Sequence, residues 1–220
     1  MSSPLSLFPP RPLALLLCLA SAGCVGNRAV VDPVLQITTP GGSELGVSTE
    51  FGVVFLGRTA RSGAIEITAW FGDGPSIEPT VIEPLGGGLY TAETEIRLPS
   101  VPMTFFQPHE GEILIIVGRT EEGPWEEHVE VLTDPRVYGI LLEVPLQIRA
   151  RPDQIGAAVF SEREGDRRLL GLVSGLLTIE TADGARQFLT VMGPEDLWRL
   201  VTHRRDRHRY KAWVYRDDVM

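Results

Sequence analysis

Apolar and polar residues alternate with a period of two along much of the chain. Ile65, Ile67 and Ala69 are separated by Glu66 and Thr68, and Val129 and Val131 alternate with His128 and Glu130. A strand turns successive side chains to opposite faces, so this pattern predicts strands half buried in antiparallel sheets. On that basis strands are expected at residues 34–38, 47–56, 64–70, 80–82, 89–98, 112–118, 126–132, 139–145, 157–161, 169–179 and 187–191. Ile113 to Val117 and Leu169 to Val173 are unbroken apolar runs, which predict burial on both faces. Clusters at Gly41-Gly42, Gly72-Asp73-Gly74-Pro75, Gly86-Gly87-Gly88 and Asp183-Gly184 mark turns. One helix is expected from Gly193-Pro194-Glu195-Asp196, with proline in the first turn, two acids at the positive end of the dipole, and Leu197, Leu200 and Val201 at helical spacing. The segment Ala212 to Tyr215 reads as a closing strand. Many short strands at regular spacing predict an all-β sandwich or barrel.

The first residues follow a different pattern. Arg11 is the only charge before Arg28, and Leu13 to Ala20 form an apolar run followed by the small residues Ser21, Ala22 and Gly23. A basic residue, a short apolar stretch and a small-residue cleavage site make up a signal peptide. The run is shorter than the roughly 20 residues that span a bilayer. Ser21-Ala22-Gly23-Cys24 resembles the lipobox of bacterial lipoproteins, with Ser21 where leucine is usual. The resemblance implies that Cys24 accepts a diacylglycerol and becomes the new N-terminus, and that Val25 after it directs the protein to the outer membrane, facing the periplasm. The bland alternative is ordinary cleavage near Ala22, with Cys24 a free thiol. The other cysteine, Cys18, lies inside the apolar run and would be discarded with it, so no intrachain disulfide is expected.

Composition narrows the function classes. Removing residues 1–23 takes away one basic residue and no acid, which moves the formal charge from −9 to −10. An acidic body argues against general nucleic-acid binding. At 43% hydrophobic residues the chain has the material for a core.

The stretch Asp153-Gln154-Ile155-Gly156-Ala157-Ala158-Val159-Phe160, followed by Leu170-Gly171-Leu172-Val173-Ser174-Gly175, resembles part of a trypsin-like serine protease. The resemblance implies two antiparallel β-barrels with a C-terminal helix, and it puts Ile155 where the nucleophilic serine belongs. Ile67-Thr68-Ala69-Trp70-Phe71 is similar to the stretch that holds the catalytic histidine, with Phe71 in its place, and the catalytic acid falls near Ala92. Neither Ile155 nor Phe71 has a group that attacks a carbonyl or moves a proton, so the resemblance implies a pseudo-protease.

Other candidate residues point to no chemistry. His203 and His208 are five apart, which is not the spacing of a helical zinc pair, and His109 and His128 are isolated, so no metal site or cofactor is expected. The basic run from His203 to Lys211 fits anionic headgroups or an acidic partner, or a solvated helix end. Glu121-Glu122 and Glu126-Glu127 are expected on the exposed side of a hairpin, and Trp198, Trp213 and Tyr215 in a core. Gly57 to Gly63 and Gly86 to Gly88 lack the residues of a phosphate loop. The sequence therefore divides into a signal peptide (1–23), a lipidated tether (24–33), an N-terminal β domain (34–107) and a C-terminal β domain with the terminal helix (108–220). Its expected role is binding or scaffolding at the membrane, with a protein partner possible. Two rival readings stay open: an immunoglobulin-like sandwich over 34–134 with a small β domain over 136–220, and a hydrolase with an unrecognised site. Lipidation makes the first test direct. Cys24→Ala is expected to abolish incorporation of a clickable palmitate in cells, and persistent labelling would refute the anchor.

Overall fold

The computed structural model describes residues 33–58, 65–68, 76–120, 123–132, 139–144, 152–182 and 184–217; of 152, 164, 181 and 206–217 the backbone alone is described. All of them fall within one unit spanning residues 31–220. The first sheet contains β1 (Val34–Thr39), β2 (Gly42–Thr49), β3 (Gly52–Phe55), β4 (Glu66–Thr68), β5 (Ser76–Ile77), β6 (Val81–Gly86) and β7 (Leu89–Glu93). They pair in the order β5-β4-β1-β2-β3-β7-β6, and every ladder is antiparallel. The second sheet contains β8 (Ile113–Thr120), β9 (Gly123–Glu130), β10 (Ile140–Glu143), β11 (Ala158–Ser161), β12 (Arg168–Thr181) and β13 (Gly184–Met192), in the order β10-β13-β12-β11-β8-β9. A bridge from Val131 to Leu142 joins its two ends, with the Leu132 N–H donating to the Leu141 carbonyl at 3.0 Å. Closure turns this sheet into a six-stranded barrel and removes its open ends.

The apolar pattern explains how the sheets pack. Leu35, Ile37, Val53, Phe55, Ile67 and Ala92 point to one side of the first sheet and form a core of their own. Val34, Val47, Val54, Leu56 and Leu89 point to the other side and join the apolar filling of the second barrel, with Leu114, Ile116, Phe160, Leu172 and Leu189. Each fully buried Leu, Ile, Val or Phe side chain contributes roughly 1.5–3 kcal/mol, so the shared filling fixes the two sheets to each other. The unbroken runs at Leu114 to Val117 and Leu169 to Val173 are buried as expected, while Ile113 is 53% exposed.

Several expectations need correction. Residues 47–56 form two strands, because Thr49 turns the chain at Glu50-Phe51 and Gly52 takes φ +123°, a conformation that favours glycine. The Thr49 hydroxyl donates to the Gly52 carbonyl at 2.7 Å and accepts from the Phe51 N–H at 3.1 Å. The helix α1 (Pro194–Asp217) continues through residues 212–215, where a strand was expected. No glycine or proline follows Pro194 inside it, and arginine is a good helix former. Leu197 and Leu200 are fully buried beneath its first turns. The immunoglobulin-like alternative also fails: β8 and β9 belong to the closed barrel with β10–β13, so no sandwich spans 34–134.

The segment between the sheets is stitched to both. Its Val101 N–H donates to the Ser48 carbonyl at 3.1 Å, while the Thr104 N–H donates to the Leu169 carbonyl at 2.8 Å and the Leu169 N–H donates to the Pro102 carbonyl at 2.9 Å. Its end is fastened by Glu112. One carboxylate oxygen accepts from Arg163 Nε and the Ser161 hydroxyl, both at 3.0 Å, and the other accepts from the Arg163 guanidinium and from the His109 N–H at 3.1 Å. Burial alone would raise the Glu112 carboxyl, but the bonds from Arg163, His109 and Ser161 outweigh it and hold the group below its ordinary value. A carboxyl lowered in the folded state adds stability above its unfolded value, and that stability is lost as pH falls through the folded one. Glu112→Gln is therefore expected to lower the unfolding free energy by about 1–3 kcal/mol at neutral pH. The gap to the unsubstituted protein should close as pH falls below about 4.3, read by urea denaturation across that range.

Candidate functional site

The turn that leads into β11 carries the sequence's main candidate. A single 3-10 turn over Pro152–Gln154 is followed by Ile155, Gly156 and Ala157. The Ala157 N–H closes the turn on the Gln154 carbonyl at 3.0 Å, and the Gly156 N–H donates to the Val173 carbonyl of β12 at 2.7 Å. Val173 returns its own N–H to the Ala157 carbonyl at 2.9 Å. The Gln154 side chain is fully buried and donates to Glu127 Oε2 at 2.7 Å, which ties the turn to β9. Ile155 is partly buried and packs on the barrel's apolar filling.

Gly156 brings the two sheets together at this point. Its φ is +91°, and a Cβ there would lie 3.2 Å from the Leu45 carbonyl oxygen of β2. Beside Leu45, the buried Glu44 accepts the Arg58 N–H at 3.2 Å. Arg58 follows Gly57 at the end of β3, and Gly57 (φ +64°) sits where a Cβ would collide with the Tyr90 ring at 2.0 Å. β7 lies alongside, with Tyr90 opposite Phe55 and Ala92 opposite Val53. Ala92 is fully buried in the first core. On the far wall, the Ser174 hydroxyl shares a hydrogen bond with Thr190 Oγ1 at 3.0 Å and lies 3.1 Å from the Thr190 carbonyl.

The turn offers Ile155, which neither attacks nor titrates. The Ser161 hydroxyl donates to Glu112, whose other carboxylate oxygen lies 3.6 Å from His109 Nδ1, and the Ser174 hydroxyl shares a hydrogen bond with Thr190. Among the described residues, no three His, Cys, Asp or Glu side chains gather as a metal site. Phe71 and Cys24 lie outside the described residues, as do Glu121 and Glu122.

The remaining candidates are dispersed. His203 bonds Glu83 of β6, and Arg204 donates to the Phe51 carbonyl at 2.8 Å and pairs with Glu93 at 2.9 Å. The start of the basic run is thus fixed on the first sheet. His109 stands 3.6 Å from Glu112, and His128 is 4.0 Å from Glu126. Glu126 pairs with Arg167, which also holds Glu162; those carboxylates raise the guanidinium's affinity for its proton. Trp198, expected in a core, is 48% exposed and meets Phe105 edge to face at 5.0 Å. Sequence reasoning missed the Glu44–Arg58 bond and the seat of Gly156 on Leu45. Neither leaves a local signal, since its partners are far apart in the chain.

No protein-family model matches the chain, and no curated protein sequence matches it. Solved structures do. A serine endoprotease from Yersinia pestis superposes with a TM-score of 0.51 at 15% identity, over 73% of this chain and 59% of that one. This chain therefore spans less than two thirds of that protein. The Rv3671c protease in an inactive form gives 0.53 at 16% identity, over 74% of this chain and 85% of that one. A serine-to-alanine mutant of Rv3671c from M. tuberculosis H37Rv, also inactive, gives 0.54 at 16% identity, over 79% and 89%. At such identities the likeness concerns the fold. The body has the double-barrel architecture of trypsin-like serine proteases, as the resemblance around Ile155 implied. The seat of its central turn is open to test: Gly156→Ala is expected to cost about 1–3 kcal/mol, measured as a lowered midpoint of denaturation.

Proposed function

We propose that this protein is a lipid-anchored component of the bacterial cell envelope whose protease-type body performs no catalysis and acts by binding or scaffolding. One observation supports the second half of this reading: the turn before β11, where the resemblance puts the nucleophile, presents Ile155 and no hydroxyl. Acyl transfer by this fold needs an activated nucleophile, an imidazole to take its proton and an acid to orient the imidazole. Isoleucine supplies none of these, and the residues that close β3 are Leu56, Gly57 and Arg58. The preserved scaffold around an apolar turn supports a surface that holds a partner without cutting it.

The anchor rests on the pattern of Leu13 to Ala20 followed by Ser21-Ala22-Gly23-Cys24. Two or more acyl chains on Cys24 would hold the body firmly, since each buried methylene contributes roughly 0.8 kcal/mol. No helix among the described residues is long and apolar enough to cross a membrane. Val25 after the cysteine favours the outer membrane, with the body in the periplasm.

A fluorophosphonate probe tests the absence of catalysis. The purified protein is expected to take no label, with or without Ser161→Ala or Ser174→Ala. Stoichiometric labelling that one of those substitutions removes would overturn the reading and establish a hydrolase.

A further inference from the structure

We propose that the outer edge of β12 over residues 174–181 is a self-association surface, on which the same edge of a second copy pairs about a two-fold axis. The ladder of β12 with β11 covers only Arg168 to Leu172, whereas its ladder with β13 continues to Thr181 opposite Gly184. Past Val173, no strand pairs with the β11 side of β12 among the described residues. Residues 176–180 are exposed in succession, so both faces of this ribbon meet solvent. Leu176, Leu177 and Ile179 are 39%, 40% and 41% exposed. Proteins usually blunt such an edge with charge or proline, because unpaired backbone groups are a template for another strand. Over residues 174–181 the edge has no proline and a single charge, Glu180.

The ladders also show which backbone groups face outward. The Val144 N–H donates to the Gln187 carbonyl at 3.1 Å, so Gln187 turns its backbone toward β10. Its neighbours Arg186 and Phe188 turn theirs toward β12, where they oppose Ile179 and Leu177. Leu176, Thr178 and Glu180 therefore present their N–H and C=O groups to the open edge. An axis through Thr178 puts Thr178 opposite its own copy and Leu176 opposite Glu180 of the second copy, all as hydrogen-bonded pairs. Between them Leu177 faces Ile179 of the second copy, twice, in the non-hydrogen-bonded positions where Cα atoms approach to about 4.5 Å. One register thus satisfies the backbone and packs Leu177 on Ile179, while Leu176 lies against the Glu180 stem on the other face. An axis through Leu177 would set Ile179 against Gly175 and lose that packing. The contact is isologous and closes as a dimer. It depends on neither the lipid anchor nor the absence of catalysis.

Disulfide trapping in the full chain tests this register. Thr178→Cys is expected to yield a linked dimer on a non-reducing gel, because opposed Cα atoms lie about 5.5 Å apart in such a pair, within bridging range. Leu176→Cys stands about 13 Å from its own copy and is expected to give no more dimer than the unsubstituted chain, which controls for Cys18 and Cys24. Thr178→Pro removes an edge donor and is expected to shift the purified full chain from twice the monomer mass to the monomer mass in sedimentation equilibrium. An unsubstituted chain that stays monomeric across a concentration series would overturn the proposal. So would Leu176→Cys linking as readily as Thr178→Cys.

Discussion

The molecule depends on a first sheet that is apolar on both faces. Leu35, Ile37, Val53 and Phe55 fill one side, and Val34, Val47, Val54 and Leu56 extend the filling of the closed barrel on the other. A sheet with one wet face would have left the barrel beside it as a loosely tethered neighbour. Here removing the barrel would expose Val34, Val54 and Leu89, each fully buried, so the two halves stabilise each other. The Gly156 turn sits on Leu45 at this boundary, which is why a backbone oxygen and a glycine can approach so closely.

That boundary gives the candidate site its shape. The fold seats the β11 turn against Leu45 of β2 and Val173 of β12, and ties the end of β3 to Glu44. Ile155 packs on the barrel filling, Gly57 yields space to the Tyr90 ring, and Glu44 is occupied by the Arg58 backbone.

Much of this was legible in the sequence, and the reasons are local. Strands with alternating burial, such as β4 and β9, declare themselves by period. The Ile155 turn and β12 were found together because a short peptide pattern links a turn to the hairpin behind it. The β2–β3 hairpin was hidden by the same two-faced burial that holds the molecule together: Val47 to Leu56 reads as one apolar strand unless Gly52 is given weight. The C-terminal end of α1 was misread because Ala212-Trp213-Val214-Tyr215 has strand-like composition, while helix propagation from Pro194 is not interrupted. The Glu112–Arg163 clasp and the Glu44–Arg58 bond were invisible, since pairs distant in the chain carry no periodicity.

The segment joining the sheets has one more consequence. Threaded through Ser48 on one side and Leu169 on the other, and riveted at Glu112, it leaves little slack for a hinge. The two sheets are thus held by backbone bonds as well as by their shared apolar filling. A load on either sheet is therefore passed to the other through covalently continuous, hydrogen-bonded chain and not through side-chain contacts alone.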